Sequence, residues 1–393
     1  MRSIRSCFLV LSLVAILVTG MLPAAVFAQD DTPTGAGHVF MPALQTQPGT
    51  EPAPAGVVTH AIPSAEQTAA SQFWTRERML AAKPLDLLTV NGKAPAASPE
   101  VAATGPAVRF PGAASDPKAV ALAQKEYAAE WARIAAEETS ATEQPQAEGD
   151  FEAESWASTP PFVSYYVNDA TQTWKSAPWV TMGRLFFKIP GYTGLYACSA
   201  SVAYGRTLWT AGHCVFSTGR GWHTDMTFVP AYRNGAYPFG SFVAINAATT
   251  PAWFSSGNLS ADIGMVSLAS RSGWTVSQYV GRLGFLYNAN GVQQFHAFGY
   301  PSNFASGAFL VACAASTYRR DTIPGPPPVG IGCNMGSGSS GGPWLVAYAP
   351  FRTASVNYVN SVVSYRYDGQ PNLFYGPYFG SEAKQLWDWA VLQ

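Results

Sequence analysis

Charge is scarce in this chain of 393 residues: Asp, Glu, Lys and Arg make up only 12% of it, and the formal net charge is −1. So little charge, set against 48% hydrophobic residues, excludes the composition of a disordered protein. Cations are also unclustered, which excludes the basic stripe of a nucleic-acid binder. Cysteine is rare, with five in all and no two in CxxC spacing, so a zinc site is disfavoured and no metal or other cofactor is expected. After residue 28 no apolar run is long enough to span a bilayer, and no repeat of fixed period marks a solenoid or propeller.

The exception to that missing apolar run is the N-terminus. Arg2 and Arg5 precede an apolar stretch from Cys7 to Val18, and Val26-Phe27-Ala28 offers a small-residue cleavage site before Gln29. Residues 1–28 therefore read as a signal peptide, with a secreted, extracellular product and no membrane partner once it is removed. Cys7 leaves with the leader, and Cys198, Cys214, Cys313 and Cys333 remain as an even set. Four cysteines allow three pairings. Cys198–Cys214 with Cys313–Cys333 is favoured because each closes a short loop beside a candidate catalytic residue.

Residues 29–159 are rich in Ala, Pro, Glu and Thr, and read as a pro-segment that acts in cis. They carry 8 Lys+Arg against 17 Asp+Glu, net −9, while residues 160–393 carry 13 against 7, net +6. Opposite signs favour a docked precursor, whereas the Glu-rich 137–154 stretch alone reads as a solvated linker. One helix is predicted to open at Ser64, with Gln67 completing a capping box, and to close before Pro84. A second has Asp116 as N-cap, Pro117 at the first helical position, and Val120, Tyr127, Trp131 and Ile134 as one apolar stripe. That stripe packs either inside a helical pro-domain or on the domain that follows.

From residue 160 the pattern changes to short runs of β-branched and aromatic residues broken by Gly, Pro and Asn. Gly183–Ile189, Thr207–Ala211, Met226–Val229, Gln294–Phe298, Trp344–Tyr348 and Asn360–Tyr365 are predicted strands. The class is all-β, barrel or sandwich, closed by one helix with Ser381 as N-cap and Ala383, Leu386, Trp387 and Ala390 at helical intervals.

Within this β-rich part, Gly336-Ser337-Gly338-Ser339-Ser340-Gly341-Gly342-Pro343 packs three serines among four glycines. Glycines beside a serine permit a tight turn and aim amides at developing negative charge. A hydroxyl is a poor nucleophile until a base takes its proton and a third group orients that base. Thr210-Ala211-Gly212-His213-Cys214 offers the base. Asp262, at the entry to the apolar run Ile263–Leu268, offers the orienter. His223 and His296 are spare bases that read as structural. The chain order His, Asp, Ser with the serine in a glycine loop joins the three pieces.

On these motifs the chain resembles secreted chymotrypsin-fold serine proteases of the bacterial trypsin-like and glutamyl-endopeptidase type, over roughly residues 175–393. The histidine loop with its disulfide to Cys198, the strand Asp262-Ile263-Gly264-Met265-Val266 and the loop Gly338-Ser339-Ser340-Gly341-Gly342-Pro343 carry the resemblance. It implies two antiparallel β-barrels with the active site in the cleft between them and a C-terminal helix. It further implies Ser340 as nucleophile, His213 as general base and acid, Asp262 as orienter, and the amides of Gly338 and Ser340 as oxyanion hole. The substrate is then a peptide or protein, hydrolysed by a serine endopeptidase. A silent binding module on the same scaffold, or an esterase with the same triad, are the alternatives.

Two departures qualify the resemblance. Ser339 stands where many relatives have an aspartate that pairs with a freed N-terminus, so activation must work otherwise, with the pro-segment removed somewhere in 140–180. The family reads the substrate side chain about six residues before the nucleophile and on the strand Ser361–Arg366. Here those positions are Asn334, Ser364, Tyr365 and Arg366, which supply neither an acid for basic residues nor a histidine for glutamate.

Overall fold

A computed structural model describes residues 56–92, 105–140, 160–167, 173–290, 292–353 and 355–393. The leader read at 1–28 and most of the Glu-rich 137–154 stretch lie outside the described residues. Before residue 160 come β1 (Val58–Ala61), α1 (Ser64–Phe73), α2 (Arg76–Ala81), β2 (Lys83–Pro84), β3 (Leu88–Val90), β4 (Val108–Phe110), α3 (Pro117–Glu126) and α4 (Ala128–Ser140).

Both predicted helices form, and both break. The first opens at Ser64 with Pro63, not Ser64, at the cap, and Gln67 Nε2 reaches back to the Ile62 carbonyl (2.7 Å) instead of completing a capping box. It breaks at Trp74, whose extended backbone lets its indole N–H donate to the Asp225 carbonyl (2.7 Å); Thr75 then caps α2. The second begins as expected, with Asp116 Oδ1 accepting from the Lys118 amide (2.8 Å) and Pro117 in the first turn, and breaks at Tyr127.

After residue 160, β5 (Val163–Tyr166) is followed by β6 (Met182–Lys188), β7 (Leu195–Val202), β8 (Thr207–Thr210), a hairpin β9 (Phe216–Ser217) and β10 (Gly221–Trp222), β11 (Thr224–Pro230), β12 (Phe242–Thr249), α5 (Pro251–Ser256) and β13 (Gly264–Leu268). In the order β12-β11-β6-β7-β8-β13 these strands are antiparallel, and β13 pairs back on β12 to close a six-stranded barrel. Closure removes the free edges that would otherwise invite aggregation.

The second sheet follows α6 (Val276–Val280). It is built from β14 (Gly284–Tyr287), β15 (Gln294–Gly299), β16 (Val311–Arg320), β17 (Val329–Gly332), β18 (Pro343–Val346), β19 (Tyr358–Val362), β20 (Tyr365–Tyr367) and β21 (Leu373–Gly376). Its core order is β20-β21-β17-β16-β15-β18-β19-β14, antiparallel except where β14 lies parallel to β19. The predicted strand Asn360–Tyr365 is split because Val363 turns aside: its amide donates to the Gly342 carbonyl and its carbonyl accepts from Gly341. α7 (Ser381–Val391) ends the chain, capped at Gly380 rather than Ser381, and its Trp387 ring lies 4.9 Å from Phe285.

The apolar stripe of the second predicted helix docks on residues that follow position 160. Trp131 donates its indole N–H to the Pro238 carbonyl (2.7 Å) and meets the rings of Trp174 (5.0 Å) and Phe239 (5.4 Å) edge-on, while Ile134 is fully buried. β1 joins β12 and β4 joins β14, both antiparallel, so the segment adds strands to both sheets. This explains why Leu185-Phe186-Phe187 does not alternate as a half-exposed strand should. Leu185 and Phe187 face the barrel core, while Phe186 faces outward and is covered by Trp74 at 5.3 Å.

Candidate active site

Of the residues singled out in the sequence, His213 and Asp262 are in direct contact, and the glycine loop that bears Ser340 packs against the end of the strand that leads to His213. His213 sits on a single turn, Gly212–Cys214, that follows β8 and is tied to β7 by the Cys198–Cys214 disulfide; Cys313–Cys333 is also formed. Gly212 has to be glycine, because a Cβ there would lie 2.9 Å from Asp262 Oδ1 and 2.7 Å from the Trp253 ring. Its bareness lets the carboxylate close on the histidine backbone.

Asp262 is fully buried, a costly position for a carboxylate unless its oxygens are satisfied. They are. Oδ1 accepts from the His213 amide (2.7 Å), and Oδ2 accepts from His213 Nδ1–H (2.7 Å) and from the Ser364 hydroxyl (2.5 Å). With Nδ1–H hydrogen-bonded to Asp262, Nε2 is the ring nitrogen left to accept a proton. His213 Nε2 and Ser340 Oγ are both buried, and neither has a hydrogen-bond partner.

The loop bearing Ser340 is held from three sides. Its carbonyl accepts from the Ser199 amide (2.8 Å), and Gly341 and Gly342 pair with Val363, next to the Ser364 that holds Asp262. Gly341 has φ +78°, and a Cβ on it would lie 2.1 Å from Thr210 Oγ1. This packs the glycine loop of Ser340 against the strand that leads into His213. Ser199 Oγ donates to the Gly338 carbonyl (2.8 Å) and accepts from the Tyr300 amide (2.9 Å). Asn303 clamps the loop entrance, accepting from the Gly336 amide (2.7 Å) and donating to the Asn334 carbonyl (2.8 Å). Ser199 and Asn303 were not singled out in the sequence, and nothing local marks them. Ser339, in the place of the aspartate many relatives carry, donates its hydroxyl to the Gly336 carbonyl (2.7 Å).

Among the substrate-side candidates, Asn334 contributes its carbonyl to the Asn303 clamp, and Ser364 donates its hydroxyl to the Asp262 carboxylate. Tyr365 points into a buried cluster, where its hydroxyl and that of Tyr367 donate to Asp321 Oδ2 (2.5 and 3.0 Å). Burial, with the neighbouring carboxylate, pushes Tyr367 up to about 12. Arg366 is half-buried on β20, whose free edge is taken by β3 in parallel register, Arg366 facing Thr89. The Gly338 amide, an expected oxyanion donor, donates to the Leu85 carbonyl (2.7 Å).

The spare histidines are structural. His223 donates Nδ1–H to the Cys214 carbonyl (3.0 Å), accepts from Ser217 at Nε2 (2.8 Å) and stacks on Phe187; desolvation lowers it to about 3. His296 stacks on Tyr348 at 4.1 Å, and burial lowers its pKa.

No protein-family model matches the chain. Among solved structures it is similar to a thermostable serine protease, AL20, from an extremophilic microorganism, at 32% identity over 54% of this chain and 97% of that one, with a TM-score of 0.49. It is similar in the same degree, 32% identical with a TM-score of 0.49, to the protease Anisep from Arthrobacter nicotinovorans, over 56% of this chain and 99% of that one. A curated relative, named as an extracellular metalloprotease of Bacillus subtilis (strain 168), is 30% identical over 104 residues; the match spans 26% of this chain and 33% of that protein.

Proposed function

The chain belongs to the chymotrypsin-fold serine proteases, and on that premise we propose that it is an endopeptidase whose acyl-enzyme forms on Ser340 and which is made as a secreted preproprotein. The observation that carries this reading is the state of His213. Its Nδ1 is committed to a fully buried Asp262, and its Nε2 is left as an unpartnered acceptor beside the glycine loop of a serine whose hydroxyl is likewise unpartnered.

In this reading Ser340 Oγ attacks the scissile carbonyl carbon while its proton passes to His213 Nε2. Asp262 holds the ring and stabilises the imidazolium. The Gly338 and Ser340 amides receive the oxyanion, an interaction whose loss in such sites costs about 3–4 kcal/mol of barrier. Collapse breaks the C–N bond, and the departing amine takes the proton from Nε2. Water then takes the amine's place: its proton goes to Nε2 and its oxygen to the acyl carbon, the C–Oγ bond breaks, and Oγ takes the proton back from Nε2, which frees the acid and restores Ser340.

Secretion rests on the leader-like 1–28 and on two disulfides. Processing somewhere in 140–180 would separate the acidic segment from the domain, which keeps β5 where the cut falls before Val163. The test is cleavage of a peptide library by the processed chain, its Ser340→Ala variant and its His213→Ala variant. Cleavage by the parent alone is expected. Equal cleavage by Ser340→Ala would overturn the reading.

A further inference from the structure

A continuous stretch of the pro-segment crosses the candidate site. β2 lies parallel to β7, with Lys83 facing Tyr196 and Pro84 facing Ala197, and the Leu85 amide donates to the Ala197 carbonyl (2.8 Å). The Leu85 carbonyl then accepts from Gly338 N–H (2.7 Å), and Asp86 Oδ1 accepts from the Ser337 hydroxyl (2.9 Å). Leu87, 4% exposed, belongs to the apolar cluster of Cys333, Met335, Val363 and Phe374. β3 continues parallel to β20 from Leu88 against Tyr365 to Val90 against Tyr367, and the Val90 carbonyl accepts from Asp368 (3.0 Å). The stretch thus runs from the first barrel over the nucleophile loop to the second sheet, using a backbone edge on each side.

An incoming peptide would add itself to exposed strand edges and place its carbonyl on the same amide. Every one of those groups is taken. We propose that residues 83–90 are the chain's own inhibitor of the cleft: a strand that occupies both substrate edges and the Gly338 amide, anchored by Leu87, and that must leave before any substrate enters. The proposal rests on the reading of Ser340 as nucleophile. The strand resists cutting for a physical reason. Were Ser340 to take the Leu85 acyl group, the freed Asp86 amine would stay held by the Ser337 bond and the β3–β20 ladder. It would sit at high effective concentration beside the ester, and the amide would re-form with return of its proton through His213.

The test is the rate at which a fluorophosphonate probe labels Ser340 in the unprocessed full-length chain. The parent is expected to label slowly. Leu87→Asp, which puts a carboxylate into the apolar cluster, is expected to label more than about tenfold faster. A synthetic peptide of residues 82–92 should slow that variant again and be recovered intact. Asp86→Ala, on an exposed side chain that leaves the core untouched, should label a few-fold faster and carries the test if Leu87→Asp does not fold. Equal rates in parent and Asp86→Ala, or a cut between Leu85 and Asp86 in the parent, would overturn the inhibitor while leaving Ser340 as nucleophile. No label in any folded variant would overturn the nucleophile and the inhibitor with it.

Discussion

At the residue scale the site is governed by how a buried carboxylate is satisfied. Asp262 spends one oxygen on the His213 amide and the other on both Nδ1–H and Ser364. Hydrogen bonds to a charged group contribute about 1.5–3 kcal/mol each, so removing the serine leaves a measurable gap. Ser364→Ala is therefore expected to lower kcat roughly tenfold with KM little changed, read by steady-state kinetics on a peptide substrate. A change in KM alone would move Ser364 from positioning the triad to binding substrate.

His223 gives a pH dependence of definite sign. Its folded value, about 3, lies below the ordinary histidine value of 6.5. Between those two values the unfolded chain holds a proton that the folded chain does not, so stability rises with pH across this window and is lost on acidification from 6.5 towards 3. His223→Phe should cost stability near neutrality, through its two lost hydrogen bonds, yet flatten the acid slope by up to one proton. Denaturant unfolding at several pH values measures both. An unchanged slope would place the acid sensitivity elsewhere.

Much at this scale was legible in the sequence. His213, Asp262 and Ser340 carry recognisable neighbours because glycine and alanine are the residues that fit where backbone must approach backbone, as at Gly212 and Gly341. Ser199 and Asn303 were not legible. Each does its work through one hydroxyl or amide on an ordinary strand or loop, and its partners lie 139 and about 30 positions away.

At the element scale, strands were placed well where turns bounded them. Errors fell where a tertiary contact overrode the local pattern: at Trp74, whose indole bond to Asp225 ends α1, and at Val363, whose pairing with Gly341 and Gly342 cuts a predicted strand in two. The apolar stripe of the second helix left its partner open, since periodicity says that a face is buried and not against what. Its partner is the first barrel, through Trp131. Truncating a large aromatic in a packed site costs about 3–5 kcal/mol, and less where it is half-buried. Trp131→Ala in the full-length chain should therefore cost about 2–3 kcal/mol of stability, measured by denaturant unfolding. Unchanged stability would mean that the stripe does not carry docking.

At the scale of the whole molecule, the acidic residues 29–159 and the basic residues 160–393 suggested attraction by charge. What joins them among the described residues is chiefly backbone pairing and apolar burial. Glu126 to Arg271, at 3.8 Å, is a partly exposed ion pair of the kind that contributes under about 1 kcal/mol. Four added strands, β1 to β4, extend the two sheets. Such pairing was invisible in the sequence because β2 and β3 are only two and three residues long, and their partners are edges of a fold not yet formed.

The decisive measurement is rapid quenching of the processed chain with an ester substrate, followed by peptide mapping of the covalent adduct. An acyl group on Ser340 that appears within the first turnover and is absent from Ser340→Ala is the expected result. Turnover without any adduct, or an adduct on another residue that survives Ser340→Ala, would contradict the assignment of this chain as a serine endopeptidase.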